Sequence, residues 1–319
     1  MPGMIAGMKV VTAGYAYLDI DAYAGIVSYA ELLRLQGETA IAATTAPLNE
    51  SVSKTVRSWL VELVRDYGPT PEDSYILIDI SDPQYFDTFV ASDQVSEVID
   101  HHPGFETYWQ QRIGKGADIV FIGAACTLVY ERWLAAGLLD KMSVTSARLL
   151  VCGILDNTLN FGAKVTTDRD KQAYDALLKI ADLPKTWTEQ YFSECQESIT
   201  NDTLTALQKD TKTLHPKTYN RPIRAGQLVV WEAKSIMADY AQTMQETLGA
   251  NGPDWFLNLI CVSEGKSYFY SSNKQMQDWL VQLLGVTFED DIAIADRLWL
   301  RKEIIKQDIE ADSRSLVTR

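Results

Sequence analysis

The chain has 319 residues, 46% hydrophobic and 23% charged, so it is long enough for two domains with separate cores. A formal net charge of -14 and an isoelectric point near 4.7 argue against nucleic acid or an anionic membrane as its main partner, because the long-range field repels phosphate. A small phosphate compound stays compatible, provided that a metal and a few basic side chains reverse the sign locally.

The opening Met1-Pro2-Gly3-Met4-Ile5-Ala6-Gly7 lacks the basic start and apolar run of a signal peptide, and no apolar stretch reaches bilayer length; a cytoplasmic protein is expected. Lys9 to Ala13 reads as a short β-branched strand, followed by an amphipathic helix from Ala22 to Gln36. Thr39 to Thr45 reads as a strand, Val52 to Tyr67 as a helix with apolar spacing, and Ser74 to Ile78 as a strand. Val95 to Ile99 and Asp118 to Ile122 are further strands, with helices over Cys126 to Ala136 and Ser143 to Leu155. Strands separated by helix-length segments predict βαβ units and a doubly wound, mostly parallel sheet, hence an α/β fold.

The rhythm changes after about Ala181. Domains are expected at 1–185 and 201–319, with 186–200 as a connector. The second is a smaller α/β domain: a strand over Gly226 to Trp231, a helix from Ser235 to Leu248, and a strand at Phe256 to Val262. That last strand pairs as a hairpin with Lys266 to Ser271. The tail from Asp308 to Arg319 is polar and expected to fray. Cys126, Cys152, Cys195 and Cys261 show no paired spacing, which predicts buried thiols in a reducing compartment.

Chemistry-bearing residues gather where apolar segments stop. The whole chain has three histidines, and two of them stand together in Asp100-His101-His102, after Val95 to Ile99. Asp19 and Asp21 follow the first strand, Asp79 follows Ser74 to Ile78, and Asp156 ends the apolar Gly153-Ile154-Leu155. An Asp after a strand is often only the N-cap of the next helix, and Asp82, before Pro83, reads as a turn residue. Counted together as four strand ends, however, Asp19, Asp21, Asp79, His101 and Asp156 point to one crevice at the edge of the sheet. So much negative charge needs cations. Five or six O and N ligands suit two divalent metals, and the absence of cysteine favours manganese, cobalt or magnesium over structural zinc.

In these motifs the chain resembles the DHH phosphoesterase superfamily, in the branch of family II (manganese-dependent) inorganic pyrophosphatases and exopolyphosphatases. Tyr15 to Asp21 corresponds to a first motif His-x-x-x-Asp-x-Asp, Asp79 to the second, and residues 100–102 to the third. Gly153 to Asp156 with Thr166-Thr167-Asp168-Arg169-Asp170 looks like the fourth, with Asp156 one residue early or the segment shifted by one. In the second domain Asp210-Thr211-Lys212 matches an Asp-x-Lys segment, and Leu300-Arg301-Lys302-Glu303 is similar to Ser-Arg-Lys-Lys; Ser271 to Lys274 ranks second because it lacks an arginine. The nucleotide-cleaving branch carries a Gly-Gly-Gly-His-like motif, and this chain has no Gly-Gly pair.

The resemblance implies a metal-dependent phosphohydrolase with its active site in a cleft between the domains. Asp19, Asp21, Asp79, His101 and Asp156 would hold one or two ions, manganese before cobalt or magnesium. His102, Lys212, Arg301 and Lys302 would face a small phosphate-containing substrate, and a homodimer is compatible with the family. One departure stands out: Tyr15 occupies the place of the motif's metal-binding histidine, and a neutral phenol is a poor ligand at neutral pH.

Overall fold

A computed structural model describes residues 7–317, with side chains through 314; Met1 to Ala6, most of the segment read for a leader, lie outside the described residues. Two compact units emerge, Met1–Phe161 with Val165–Trp187, and Gly162–Lys164 with Thr188–Arg319.

The first unit holds β1 (Lys9–Thr12), α1 (Ile20–Leu35), β2 (Ala40–Ala42), α2 (Lys54–Ser58), β3 (Ser74–Ile78), β4 (Val95–Asp100), α3 (Glu106–Ile113), β5 (Ala117–Ile119), α4 (Ala125–Ala136), α5 (Val144–Asn157) and α6 (Asp168–Ala181). Its five strands are all parallel, in the order β2-β1-β3-β4-β5, as the βαβ pattern predicts. Val10, Val11, Tyr75 to Ile78, Val98 and Ile99 are at most 2% exposed, because both faces of the sheet are covered. Trp109 of α3 packs with Tyr75, Leu77 and Val98, while on the other face α1 lies so close that a Cβ on Gly25 would come within 2.4 Å of Ile78 Cγ2. β1, β3 and β4 are neighbours, so the loops leaving them open on one edge.

Three expectations change. The helix expected over Val52 to Tyr67 shrinks to Lys54–Ser58: Val64 exchanges backbone hydrogen bonds with β2 instead, donating to Ala42 O and accepting from Thr44 N, both at 3.0 Å. Its apolar spacing misled, since Val52 and Val56 are buried but Leu60 is 93% exposed. Asp156 does not end a strand; it lies in the last turn of α5. The tail does not fray at Asp308, because α11 (Arg301–Val317) runs through it and the buried Asp308 carboxylate accepts from Lys217 N and Thr218 N at 2.5 and 3.0 Å.

The second unit, after α7 (Trp187–Asn201), comprises α8 (Thr203–Lys209), β6 (Thr211–Leu214), β7 (Ile223–Val230), α9 (Lys234–Gly249), β8 (Trp255–Cys261), β9 (Lys266–Tyr270), α10 (Lys274–Leu284), β10 (Phe288–Glu289), β11 (Ile292–Ala295) and α11. Its mixed sheet runs β10-β11-β9-β8-β7-β6, and only β7 and β8 are parallel. The expected hairpin is β8–β9, turning at Gly265 with φ +67°. Met244, Leu248 and Leu257 belong to the core on one face, Phe256, Trp279 and Ile304 to that on the other. All four cysteines are buried thiols, and among the described residues no helix is long and apolar enough to cross a membrane.

Candidate metal centre

β3 and β4 end side by side, and their last residues deliver Asp79, His101 and His102 to one point. Their ligand atoms lie within 4.8 Å of one another. His101 Nε2 is 3.1 Å from Asp79 Oδ1 and 3.8 Å from Asp21 Oδ2, with both His101 and Asp21 fully enclosed. Asp79 is held in the left-handed region at φ +61°, its N–H donating to Ile99 O at 2.9 Å, which turns the chain sharply at the end of β3.

Asp21 reaches the cluster from the first turn of α1. Its two carboxylate oxygens accept from the N–H groups of Ala125 and Cys126, each at 2.8 Å, at the start of α4. Burial pushes its carboxyl up to about 7; the hydrogen bond from the Cys126 side chain opposes this and the charge of Asp19 adds to it. Burial and the facing Asp21 raise the Cys126 thiol well above its ordinary value. Asp19 caps α1, its Oδ1 accepting from Ala22 N at 3.0 Å. Asp82 likewise caps the short turn Pro83–Tyr85.

Asp100 is the residue that sequence reading left without a role. Its Oδ1 accepts from the N–H groups of His101 and His102 at 2.7 and 3.2 Å, and lies 2.9 Å from His102 Nδ1. Burial pushes the Asp100 carboxyl up, but the charge and hydrogen bonds of His102 outweigh it and hold the group below its ordinary value. The contact with Asp100 anchors the His102 ring at Nδ1, and its side chain is 41% exposed. Asp156 lies half-buried one turn beyond Gly153, and a Cβ on Gly153 would meet Asp21 Oδ1 at 3.2 Å, so that face of α5 abuts Asp21. Asp170 is structural: it accepts from Thr127 Oγ1, Thr167 N and Gly123 N at 2.6, 2.7 and 3.2 Å, fastening α6 to the loop before α4.

The carboxylate oxygens and imidazole nitrogens gathered at Asp79, His101 and His102 fit a hard to borderline divalent cation. No family model matches the chain. A Lactobacillus delbrueckii subsp. bulgaricus protein named as a manganese-dependent inorganic pyrophosphatase is 24% identical over 306 residues, covering 87% of this chain and 94% of its own. A Listeria monocytogenes protein of the same name is 23% identical over 259 residues, covering 79% and 82%. At this level the chain is similar in sequence to proteins named as manganese-dependent inorganic pyrophosphatases. A Methanococcus jannaschii structure described as a family II inorganic pyrophosphatase matches with a TM-score of 0.69 over 95% of this chain and 100% of its own, at 16% identity. That likeness is one of fold and fits the two α/β domains of this chain.

Within the second unit, the two motif fragments meet. Arg301, at the start of α11, pairs with Asp210 Oδ1 at 2.5 Å and donates to the carbonyls of Asp210 and Ala225 at 2.8 and 3.2 Å. Its residue is 8% exposed, whereas Lys212 is exposed and Lys302 half-buried. The second-ranked Ser271 to Lys274 does capping work: Asn273 accepts from Gln275 N, and Lys274 pairs with Asp278. A cavity of about 860 Å³ in this unit is lined by Lys164, Arg297 and Trp299 among others. Arg297 lies 3.7 Å over the Trp299 ring and pairs with Glu303 at 2.5 Å. Its signal in the sequence was an arginine two residues past the last strand.

Proposed function

We propose that this protein is a metal-dependent phosphohydrolase that cleaves a phosphoanhydride, inorganic pyrophosphate or short polyphosphate, with water. The carrying observation is the Asp79–His101–His102 cluster beside the enclosed Asp21, in a chain related to manganese-dependent pyrophosphatases. Asp19, Asp21, Asp79, His101 and Asp156 are the proposed ligands of one or two ions, manganese before cobalt or magnesium. Such a cation supplies Lewis acidity and lowers the pKa of water at the site. The residues do the rest. Asp79 and Asp21 set the negative field that binds the cation, and Asp100 fixes the His102 ring so that Nε2–H is aimed at the leaving oxygen. Lys212 and Lys302 are the proposed cations for phosphoryl oxygens, and Arg301, tied to Asp210, holds the two basic segments in register.

The test is phosphate release from pyrophosphate and tripolyphosphate with manganese, cobalt and magnesium, alongside metal-induced shifts in Tm. Release that depends on a divalent cation and is lost in Asp79→Ala supports the reading; no release with any metal, or a parent-like Asp79→Ala, removes it. A second reading, a weakened homologue that binds a phosphate-containing ligand or turns over another small phosphoester, rests on Tyr15. Its side chain is 43% exposed where the motif has a histidine. Calorimetric binding of phosphate compounds without turnover is the signature of that case.

A further inference from the structure

The five loops that leave the strand C-termini of the first unit, residues 13–19, 43–53, 79–94, 101–105 and 120–124, contain no lysine and no arginine. They do contain Asp19, Glu50, Asp79, Asp82, Asp87 and Asp93. Arg57, which follows the second loop on α2, turns its guanidinium onto the carbonyls of Asn49, Val52 and Leu48 at 2.5, 2.6 and 3.4 Å. Apart from a metal ion, these loops offer no lysine or arginine of their own to gather the spare charge of an inorganic phosphoanhydride.

What they offer is aromatic surface. Tyr15 and Tyr85 are 43% and 51% exposed. Tyr15 N donates to Tyr85 O at 3.0 Å, and Gly14 bridges Phe86, so the two tyrosines stand on paired backbone. Tyr15 stands in the loop that ends at Asp19, and Tyr85 in the loop that begins at Asp79, so the same backbone presents rings and carboxylates. The π face of a phenol carries negative charge density; it disfavours phosphate oxygens and favours a planar base stacked on it.

We infer that Tyr15 and Tyr85 form a subsite for a nucleobase, and that the preferred phosphoanhydride at this site is a nucleoside 5′-diphosphate rather than pyrophosphate. The inference rests on the metal-dependent phosphohydrolase reading above and replaces its inorganic phosphoanhydride with an organic one. Water adds to the terminal phosphorus and the bond from that phosphorus to the bridging oxygen breaks. The electron pair stays on the bridging oxygen, which leaves with the nucleoside monophosphate. The water proton passes to solvent while His102 Nε2–H protonates the leaving oxygen, so the products are a nucleoside monophosphate and inorganic phosphate.

The experiment uses the full chain with manganese, ADP and pyrophosphate as competing substrates, and calorimetry with ADP. The expected result is a higher kcat/KM for ADP in the parent. Tyr85→Ala and Tyr15→Ala each lower the ADP-to-pyrophosphate ratio by about tenfold, mostly through KM, and the Phe variants retain it. A ratio that is the same in the parent and both Ala variants overturns the base subsite. If neither compound is hydrolysed, the phosphohydrolase reading is what fails, and calorimetry still decides the subsite. ADP binding weakened about tenfold by Tyr85→Ala supports it, whereas binding that is absent in the parent or unchanged in the variant overturns it.

Discussion

Gly153→Ala is the most direct probe of how the fold holds Asp21. Gly153 lies in the middle of α5, where alanine normally gains about 1 kcal/mol in helix propensity over glycine. Here the added Cβ would sit 2.4 Å from Cys126 Sγ, with Asp21 Oδ1 and Cα at 3.2 and 3.3 Å on its other side. Cys126 is 0% exposed and its thiol donates to Asp21 O at 3.4 Å, so neither neighbour can retreat without disturbing the carboxylate. Overpacking costs about 1–3 kcal/mol, and with neither neighbour free to retreat the upper part of that range, about 2–3 kcal/mol, applies; less the propensity gain of about 1 kcal/mol, a net loss of about 1–2 kcal/mol is expected. For a unit of this size that lowers Tm by about 3–6 °C. Cys126→Ala removes the closest atom and leaves contacts that a small shift relieves. In that background Gly153→Ala should be neutral or stabilising, giving a coupling energy of about 1–2 kcal/mol between the two positions. The assay is thermal and urea unfolding of the four proteins in chelator. A Gly153→Ala protein more stable than the parent, or one equally damaged with and without the thiol, refutes the packing argument.

Asp170→Ala removes a buried carboxylate that three elements share and should cost about 3 kcal/mol in urea unfolding; a loss under about 1 kcal/mol would mean that the network is not holding α6. Tyr15→His restores an imidazole to the first motif and should tighten manganese binding and raise phosphate release several-fold; an unchanged titration would show that the exposed side chain at 15 does not reach the cation. Burial pushes the Asp73 carboxyl up, but hydrogen bonds from Tyr67 Oη and from Thr70 outweigh it and hold the group below its ordinary value. Its stabilisation is therefore full above the ordinary carboxylate range and fades as pH falls through the folded-state value. Asp73→Asn should lower Tm at about pH 7 and by progressively less as pH falls below the ordinary carboxylate range, and a loss that stays constant or grows with acidification would contradict that sign.

What the sequence made legible were contacts that a single segment encodes. Ser74 to Ile78 and Val95 to Asp100 are apolar runs that end on a carboxylate or imidazole, and in a parallel sheet adjacent strand ends must meet; Asp79 and His101 could be paired before any coordinates existed. Contacts between distant segments left no local trace. Asp21 is fixed by N–H groups at positions 125 and 126, and nothing between α1 and α4 announces that they pack side by side. The reverse failure occurred at Val52 to Tyr67, where apolar spacing of helical period was consumed by a five-residue helix and a bridge to β2.

The backbone of Asp79 was hidden for a different reason, and it bears on function. At φ +61° most L side chains are strained by about 1–2 kcal/mol; aspartate and asparagine bear the least of that cost and glycine avoids it. The same turn aims the Asp79 carboxylate at His101 Nε2, 3.1 Å away, rather than letting β3 continue past the edge. Glycine would ease the turn and remove the carboxylate; asparagine would keep the turn and remove the charge that a cation would need. Aspartate also takes this conformation at Asp182 and Asp290, so the φ alone marks no site; what sets Asp79 apart is the enclosed imidazole that its carboxylate meets there.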